Sequence, residues 1–319
     1  MTVARLINQL RCLGSYLLSI AGVCRVRHNP TFVSIEPANF CQLACPECPV
    51  GMQQQPAKPR GVMSIDTFRH IVADIKPYVH TIQLFWQGEP LLNDNLPEMV
   101  RIAREAGIYT IVSTNAQRLN QTMAMALAGA GLNRIIVSMD GWTQSSYEQY
   151  RRGGNVEQVK QALQYLRQAK QQTGAHMLIE LQCLRLKTNQ AEWGLFRRHY
   201  KDLGADCLTM KTAQLYDYEQ GSPFMPTDER YARYKWDKQS ARFVLKRKLH
   251  NCCYRLWSGC VIDVNGNVLP CCYDKQQSFP LGNILTAPLA QIWHSRRADD
   301  FRRAVLRQRA SIPMCTNCD

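Results

Sequence analysis

The stretch FVSIEPANFCQLACPECPVG (residues 32–51) joins a short apolar run to a loop that carries three cysteines, Cys41, Cys45 and Cys48. Thiols spaced this closely indicate a metal site or a disulfide. A structural zinc site is usually closed by four Cys or His ligands, whereas this triplet supplies three. His70 lies inside a predicted helix over 64–79 and not in the loop. The triplet therefore leaves one coordination position open.

Short apolar runs like the one at 32–37 alternate with helical patterns through residues 32–212. The runs are FVSIEP (32–37), TIQLFW (81–86), YTIVST (109–114), RIIVSM (134–139), MLIELQCL (177–184) and CLTMKT (207–212). Most are continuously apolar, as parallel strands buried on both faces should be. Helical patterns over 64–79, 95–107 and 155–174 lie between them. The alternation predicts repeated βαβ units, and hence a parallel sheet or barrel.

Polar or glycine-containing motifs follow four of these predicted strands. The cysteine triplet comes after the first strand, QGEP (87–90) after the second, STN (113–115) ends the third and SMDG (138–141) ends the fourth. In parallel α/β folds the active site lies at the carboxyl ends of the strands. We therefore expect the four motifs to converge on one side of the sheet.

The composition is that of an ordinary globular protein with a sizeable core. The chain has 319 residues, of which 45% are hydrophobic and 20% charged, and its formal net charge is +14. The positive charge favours an anionic partner such as a nucleotide, a phosphorylated substrate or nucleic acid. The alternative is a basic surface without a dedicated ligand, because the charge is not confined to one stripe. In the run at 296–309 the arginines have helical spacing, which predicts a solvated helix face.

Fourteen cysteines form two clusters, three at 41–48 and seven at 252–318, with four scattered between and before them. A disulfide framework is typical of short secreted chains without a core, so the clusters indicate metal ligation in a reducing, cytoplasmic compartment. The apolar segment at 13–24 resembles a signal peptide only weakly and is too short to span a bilayer. We prefer a helix that packs on the barrel, and the alternative is a helix on a membrane surface.

The CxxxCxxC loop after the first strand and the GEP motif after the second resemble the radical S-adenosylmethionine (SAM) enzymes. The resemblance implies a partial (β/α)6 TIM-like barrel in which Cys41, Cys45 and Cys48 hold a 4Fe–4S cluster. SAM would chelate the fourth iron through its amino and carboxylate groups. The cluster, reduced by an external flavodoxin or ferredoxin, would cleave SAM to a 5′-deoxyadenosyl radical that abstracts hydrogen from the substrate. Zinc at the triplet is the alternative.

The same resemblance implies roles for residues beyond the cysteines. Gly88, Glu89 and Pro90 match the motif that meets the SAM amino group. Asn115 and Ser138, at the ends of the third and fourth strands, match positions that touch the ribose or methionyl part of SAM. Arg151 matches an arginine near the SAM carboxylate, and Arg152 is its competitor for that role. The alternatives are a simple turn for QGEP, a strand-end cap for Asn115 and a surface ion pair for Arg151. Glu47 and Gln87 depart from the family, which usually has an aromatic residue and a glycine at these positions.

The carboxyl-terminal cysteines surround a predicted hairpin, VIDVNGNVLPCC (261–272), with an Asn-Gly turn. Together with a closing CxxC, this segment resembles the SPASM/twitch extension of radical SAM enzymes, a small α+β domain that holds auxiliary 4Fe–4S clusters. The CxxCx5C run of the full SPASM form is absent, which favours the twitch form with one cluster. The implied ligands are Cys253, Cys271, Cys315 and Cys318, with Cys252 and Cys272 as alternates. A four-cysteine zinc ribbon is the alternative, and Cys260 is interpreted as a core thiol.

These patterns divide the chain into a helical extension (1–30), a radical SAM partial barrel (31–214), a bridging segment (215–250) and a SPASM/twitch domain (251–319). The resemblance implies an oxidoreductase whose auxiliary cluster accepts an electron from the substrate radical. Because only about thirty residues precede the barrel, we favour a small metabolite such as a sugar or cyclitol over a peptide. The hypothesis from another class is a zinc-stabilised nucleic-acid-binding protein, although no groove-reading helix or aromatic RNA motif supports it. We expect no transmembrane segment and no specific nucleic acid.

Overall fold

The computed structural model describes residues 2–52 and 59–318. The helices are α1 (Val3–Ile20), α2 (Ile65–Ile75), α3 (Leu96–Glu105), α4 (Gln121–Ala130), α5 (Gln144–Tyr150), α6 (Val156–Thr173), α7 (Trp193–His199), α8 (Tyr254–Ser258), α9 (Leu289–Trp293), α10 (Arg296–Gln308) and α11 (Pro313–Thr316). The strands are β1 (Phe32–Ile35), β2 (Thr81–Gln83), β3 (Tyr109–Thr114), β4 (Arg134–Ser138), β5 (Leu178–Arg185), β6 (Cys207–Thr212), β7 (Tyr234–Asp237), β8 (Arg242–Leu245), β9 (Gly259–Ile262), β10 (Asn267–Leu269) and β11 (Gly282–Asn283).

The predicted mostly parallel α/β architecture is confirmed. Each of the six predicted strands is present as one of β1–β6, and α2, α3 and α6 occupy the three predicted helical patterns. The Ser64 side chain caps α2 by accepting a hydrogen bond from the Thr67 backbone N–H, as Ncap serines do. Gly107 follows α3 with a φ of +66°, a left-handed conformation that favours glycine after a helix. Apolar periodicity and capping residues therefore predicted these strands and helices correctly.

The described residues divide into two compact units. The first comprises 2–40, 59–112 and 249–318, and the second comprises 41–52 and 113–248. In the first unit the strand order is β11-β10-β9-β1-β2-β3. Strand β1 is parallel to both β2 and β9, while β10 is antiparallel to both β9 and β11. The cysteine-rich end of the chain therefore shares a sheet with β1.

The second unit has the strand order β4-β5-β6, with all strands parallel. Strand β4 is buried over Ile135–Ser138, as expected of a parallel strand covered on both faces. Its first residue, Arg134, donates through Nε to the buried carboxylate of Glu180 on β5 at 2.8 Å. Within the predicted bridging segment, β7 and β8 form an antiparallel hairpin.

Helix α1 packs into the first unit through polar side chains. The buried Arg5 side chain lies at the carboxyl ends of two helices, where its Nη2 donates to the carbonyl oxygens of Lys76 after α2 and Ala106 after α3, both at 2.7 Å. The last carbonyls of a helix lack intrahelical partners, and they attract a cation. Among the described residues, no helix is both long and apolar enough to cross a membrane.

The prediction of a solvated arginine face on α10 is wrong for Arg302. Its guanidinium carbon lies 4.2 Å from the ring centroid of Trp293, and its Nη1 donates to the Trp293 carbonyl oxygen at 2.9 Å. Asp299 accepts a third contact from Nη1 at 3.0 Å. A buried arginine is tolerated where carbonyls, a carboxylate and an aromatic face replace water. Helical spacing predicted the helix but not that Arg302, and Arg309 just after the helix, are buried.

Candidate functional site

The first cysteine loop begins the second unit. Cys45 is buried, while Cys41 and Cys48 are partly exposed. The loop is folded on itself, because the Leu43 N–H donates to Cys41 Sγ at 3.4 Å and the Cys48 N–H donates to the Cys45 carbonyl at 3.2 Å. The three thiols pack against an apolar cluster whose members include Tyr150, Leu215 and Phe224. One side of the triplet is thereby shielded from water.

Asn115 follows β3 and lies beside the first of these cysteines. Its Nδ2 lies 3.4 Å from Cys41 Sγ as a donor. Its Oδ1 accepts from Gln42 Nε2 and from the Gln117 backbone N–H, both at 3.0 Å. The next residue, Ala116, has a φ of +61°, which an L residue other than glycine rarely adopts. Asn115 therefore both caps the strand end and contacts the cysteine loop.

The SMDG motif places an acidic residue behind Cys45. Ser138 is buried at the end of β4, and Asp140 is fully buried. Asp140 Oδ1 accepts from the Leu184 backbone N–H at 2.6 Å, and its Oδ2 accepts from Arg151 Nε at 2.6 Å. Burial raises the pKa of the Cys45 thiol, and the Arg151 charge opposes that rise. Asp140 thus orients a cation toward the cysteine loop.

The two candidate arginines are placed differently. The Arg151 side chain is largely buried in its ion pair. The Arg152 side chain is exposed, and it is the Arg152 carbonyl that meets the loop, by accepting from the Ala44 N–H at 3.1 Å. Arg151 is consequently the arginine whose charge faces a cysteine.

Glu47 occupies the position where the family usually has an aromatic residue. Its carboxylate accepts from the Tyr216 backbone N–H at 2.7 Å and from Ser222 Oγ at 3.3 Å. Burial raises the pKa of this carboxyl, and the two hydrogen bonds partly offset the rise. Glu47 therefore ties the cysteine loop to the segment that follows β6.

The QGEP motif lies in the first unit, against the residues that lead into Cys41. The Glu89 N–H donates to the Phe40 carbonyl at 2.9 Å, and Glu89 Oε1 accepts from the Leu91 N–H at 3.1 Å. A Cβ on Gly88 would lie 2.1 Å from the Ala38 carbonyl oxygen, so only glycine fits. Pro90 begins a short 3-10 turn, Pro90–Leu92. The motif is a turn, as one interpretation held, and it also packs against the residues that end at Phe40.

Gln87 and the nearby Trp86 hold this motif to the carboxyl-terminal cysteines of the same unit. Trp86 Nε1 donates to the carbonyl oxygen of Cys272 at 3.0 Å, and Gln87 Nε2 donates to that of Lys275 at 2.9 Å. A glycine at position 87, usual in the family, could not make the second contact.

The carboxyl-terminal cysteines line a cavity of about 300 Å³, counted to its open mouth. Its wall includes the four thiols implied by the resemblance, and its lining residues are Cys253, Leu256, Cys271, Tyr273, Phe301, Val305, Arg309, Met314, Cys315 and Cys318. Cys252 is not among them. Cys272 instead lines a neighbouring cavity with Arg255 and the core thiol Cys260. The structure thus brings together the preferred set and separates its two alternates.

Arg309 supplies positive charge to this cavity. Its Nη2 lies 3.1 Å from Cys318 Sγ, and its Nη1 donates to the carbonyl oxygens of His250 and Cys252. Burial disfavours its charge, but the nearby cysteines, Cys253 first among them, raise the pKa of Arg309. Burial likewise raises the pKa of Cys315 to about 11, against the opposing effect of Arg309. Arg309 therefore favours thiolates in the cavity, and Arg255, whose pKa is raised by Cys272 and Cys271, adds a second positive charge nearby.

The donor chemistry of both cysteine sites fits iron–sulfur ligation. Clusters are held by cysteine thiolates. The first site offers three thiols from one loop against an apolar cluster, and the second offers four thiols from separate segments around a cavity. Within residues 2–52 and 59–318, no group of three or more His, Cys, Asp or Glu side chains is arranged to hold a single metal ion. The fit consequently rests on the thiol sets themselves and on the arginine beside each.

Comparison with known families decides the class. Residues 35–180 match the Radical SAM superfamily, and residues 252–319 match SPASM, an iron-sulfur cluster-binding domain. The chain is a radical SAM protein with a carboxyl-terminal SPASM domain. Membership of this superfamily favours the enzyme over the zinc-stabilised nucleic-acid-binding alternative.

Curated relatives of this radical SAM protein have diverse names. Fe-coproporphyrin III synthase from Methanosarcina barkeri is 31% identical over 101 residues, which are 32% of this chain and 25% of the relative. The tungsten-containing aldehyde ferredoxin oxidoreductase cofactor-modifying protein from Pyrococcus furiosus is 24% identical over 90% of this chain and 86% of its own. The chain spans between a quarter and two fifths of the first curated relatives it matches.

Solved structures share the fold. BtrN in complex with AdoMet and 2-DOIA aligns with a TM-score of 0.57 and 20% identity, over 91% of this chain and 92% of BtrN. Streptococcus suis SuiB bound to precursor peptide SuiA aligns with a TM-score of 0.65 and 14% identity, over 93% of this chain and 71% of SuiB. At such identities the likeness shows the radical SAM partial barrel and nothing about substrate.

Three residues of the two sites had no assigned role in the sequence. Asp140 stood within a quoted motif, Glu47 was only a departure from the family, and Arg309 belonged to an arginine run with helical spacing. A weak signal for Arg309 was available, since it lies a few residues before the closing CxxC. Nothing in the spacing indicated that Asp140 would pair with Arg151, because that contact depends on how the strand ends meet.

Proposed function

We propose that the protein is a radical SAM oxidoreductase that dehydrogenates a small polar metabolite such as a sugar or cyclitol. The observation that carries the proposal is the cavity lined by the thiols of Cys253, Cys271, Cys315 and Cys318. Four cysteine thiolates are the usual donor set of a 4Fe–4S cluster. A second redox group is of use to an oxidation, because a substrate that has lost one hydrogen atom must still lose one electron and one proton.

At the first site, the thiols of Cys41, Cys45 and Cys48 would hold a 4Fe–4S cluster, and SAM would complete its coordination. When bound, these groups supply the 5′-deoxyadenosyl radical that removes hydrogen from the substrate. Asn115 restrains the Cys41 thiol through its Nδ2. The apolar cluster behind the loop excludes water from that side.

The remaining residues would bind and orient SAM. Gly88, Glu89 and Pro90 would meet its amino group, and the hydrogen bond from the Glu89 N–H to the Phe40 carbonyl fixes the motif within the first unit. Ser138 would contact the ribose or methionyl part. Arg151 would lie near the SAM carboxylate, and its ion pair with Asp140 keeps the guanidinium charged and oriented.

At the second site, the auxiliary cluster would supply the acceptor for the second electron. The Arg309 guanidinium lies beside Cys318 Sγ, at 3.1 Å. A positive charge beside a cluster favours the reduced, more negative form of the cluster. An external one-electron reductant of the flavodoxin or ferredoxin type would start each turnover.

The small substrate is proposed by analogy with BtrN, a protein of the same fold that was crystallised with AdoMet and 2-DOIA. Modification of a peptide, by side-chain oxidation or cross-linking, is the alternative, by analogy with SuiB, which was crystallised with its precursor peptide.

The experiment is an anaerobic reaction with SAM and dithionite, run with a panel of sugars and aminocyclitols and, separately, a panel of peptides. We expect 5′-deoxyadenosine to form in proportion to a metabolite product that has lost two hydrogens. The Cys315→Ala/Cys318→Ala variant should still form 5′-deoxyadenosine but no dehydrogenated product. Product formation that is coupled only to a peptide would support the alternative, and undiminished product in the double variant would exclude an oxidative role for the cavity.

A further inference from the structure

Helix α1 is amphipathic, but its polar side is buried against the protein and its apolar side faces solvent. Val3, Leu10 and Leu17 are 74%, 60% and 55% exposed. The exposed large apolar side chains between residues 3 and 23 are Val3, Leu6, Ile7, Leu10, Leu13, Leu17, Leu18, Ile20 and Val23. A globular helix normally turns such a stripe toward the core. A contiguous exposed patch of this kind marks an interaction surface.

The opposite side of α1 is polar and fixed to the first unit, so the apolar side cannot turn inward. The buried positions of the helix are Arg5, Asn8, Cys12, Ser15 and Ser19. Asn8 exchanges two hydrogen bonds with the backbone of Asn29, at 2.9 and 3.0 Å. Ser15 Oγ lies 3.1 Å from His28 Nδ1. With Arg5 bound to the carboxyl ends of α2 and α3, the rotation of the helix is set along its length.

The charged residues of this amino-terminal segment are all basic. From residue 2 to residue 35 the sequence contains no Asp or Glu. The exposed arginines of this segment are Arg11, Arg25 and Arg27. A second copy of the chain docked on the same face would bring these like charges together, whereas an anionic surface would complement them.

We propose that α1 is a membrane-docking helix that lies flat on an anionic phospholipid surface. Its leucines would enter the headgroup boundary while Arg11, Arg25 and Arg27 pair with lipid phosphates. This is the arrangement of interfacial amphipathic helices, which combine an apolar face with flanking basic residues. In a free interfacial helix the polar side faces water. In α1 the polar side, with Arg5, Asn8 and Ser15, packs against the first unit instead. The inference is independent of the proposed reaction.

The test is flotation of the full chain, with its clusters, on vesicles of phosphatidylcholine and phosphatidylglycerol in equal parts, compared with vesicles of phosphatidylcholine alone. We expect binding to the anionic vesicles only. Replacing Leu10, Leu13 and Leu17 by Gln should weaken it by at least about a hundredfold, since each loses a buried apolar side chain. Replacing Arg11, Arg25 and Arg27 by Gln should weaken it by about a hundredfold, since each basic residue contributes about fivefold near such a surface.

Matched controls separate docking from general effects. Val62→Gln with Leu285→Gln removes exposed apolar side chains elsewhere in the first unit, and Arg197→Gln with Arg198→Gln and Lys201→Gln removes three exposed charges of the second. Both should bind vesicles as the wild type does. Circular dichroism and iron content, unchanged in every variant, verify folding, and the arginine variant tests the proposal should the leucine variant misfold.

Three outcomes would overturn the proposal. The first is absence of binding to anionic vesicles by the wild type. The second is binding that survives both the leucine and the arginine substitutions. The third is a wild-type dimer that the leucine substitutions convert to a monomer without any vesicle binding, which would make a second copy the occupant of the apolar face.

Discussion

The Nε atom of Arg151 lies 2.6 Å from Oδ2 of Asp140, and the pair is buried next to the first cysteine loop. The Asp140 carboxylate also accepts from the Leu184 N–H, so its position is fixed by the backbone of β5. A surface ion pair contributes little because water screens it, whereas a buried pair holds its geometry. The arrangement gives Arg151 a fixed charge facing Cys45.

Asp140→Asn should therefore destabilise the protein and weaken metal retention at the first site. Removing one partner of a buried pair typically costs about 3–5 kcal/mol, because the other charge stays buried without compensation. Anaerobic thermal denaturation should show the loss, and the iron content should fall toward that of the variant Cys41→Ala/Cys45→Ala/Cys48→Ala. Glu157→Gln, which breaks the exposed pair with Lys160, is the control and should change the unfolding free energy by less than about 1 kcal/mol. Equal effects of the two changes would contradict the buried pair.

Gly88→Ala should disturb the GEP loop, because the new Cβ would meet the Ala38 carbonyl oxygen at 2.1 Å. The segment that leads into Cys41 must then shift, so we expect both a lower melting temperature and weaker SAM binding, measured by equilibrium dialysis. Gly129→Ala in α4 is the control, since its Cβ would meet nothing within 4 Å. That substitution should be neutral or stabilise the helix by about 1 kcal/mol. Unchanged SAM affinity in Gly88→Ala would show that this close approach is not needed.

The buried His28 should make the first unit sensitive to acid. Its Nε2 donates to the Trp257 carbonyl at 2.6 Å and its Nδ1 accepts from Ser15 Oγ, so the neutral ring is satisfied on both sides. Burial lowers the pKa of His28 from 6.5 to about 4. The unfolded chain therefore binds a proton first as the pH falls, and stability is lost between pH 6.5 and about 4, by up to about 3 kcal/mol.

The measurement for His28 is the melting temperature at pH 7.5 and pH 5.5 under anaerobic conditions. The wild type should lose more stability between the two values than His28→Gln does, while His28→Gln should already be less stable at pH 7.5. His176, which is exposed and lies before β5, gives the control variant His176→Gln, which should keep the wild-type pH dependence. Identical pH dependence of the melting temperature in the wild type and His28→Gln would show that His28 does not cause the acid sensitivity.

Arg309→Met should lower the reduction potential of the auxiliary cluster. The guanidinium lies 3.1 Å from Cys318 Sγ, and a cation there stabilises the reduced form more than the oxidised one. Spectroelectrochemical titration should show this decrease in potential. Arg309→Lys should show a smaller decrease because the positive charge remains. Arg307→Met, at an exposed position near the end of α10, should leave the potential unchanged. A potential that is equal in Arg309→Met and Arg307→Met would contradict this role.

The sequence predicted the local structure and the positions of the cysteines, because period, capping residues and motif spacing are local properties. Ser64 caps the start of α2 and Gly107 follows the end of α3, as expected. Contacts between distant segments were out of reach. Nothing in the composition of α10 distinguished the buried Arg302 from its exposed neighbours, and no spacing could join β9 to β1. The polar side of α1 was likewise hidden, since an apolar run suggests that the apolar side packs.

The central claim is that the two cysteine groups hold two clusters and that only the first cleaves SAM. Iron and 5′-deoxyadenosine should be measured together in the wild type, in Cys41→Ala/Cys45→Ala/Cys48→Ala and in Cys315→Ala/Cys318→Ala. We expect about eight irons per chain in the wild type and about four in each variant, with 5′-deoxyadenosine lost only from the triple variant. SAM cleavage that survives the triple substitution, or stoichiometric zinc in place of iron, would contradict the account.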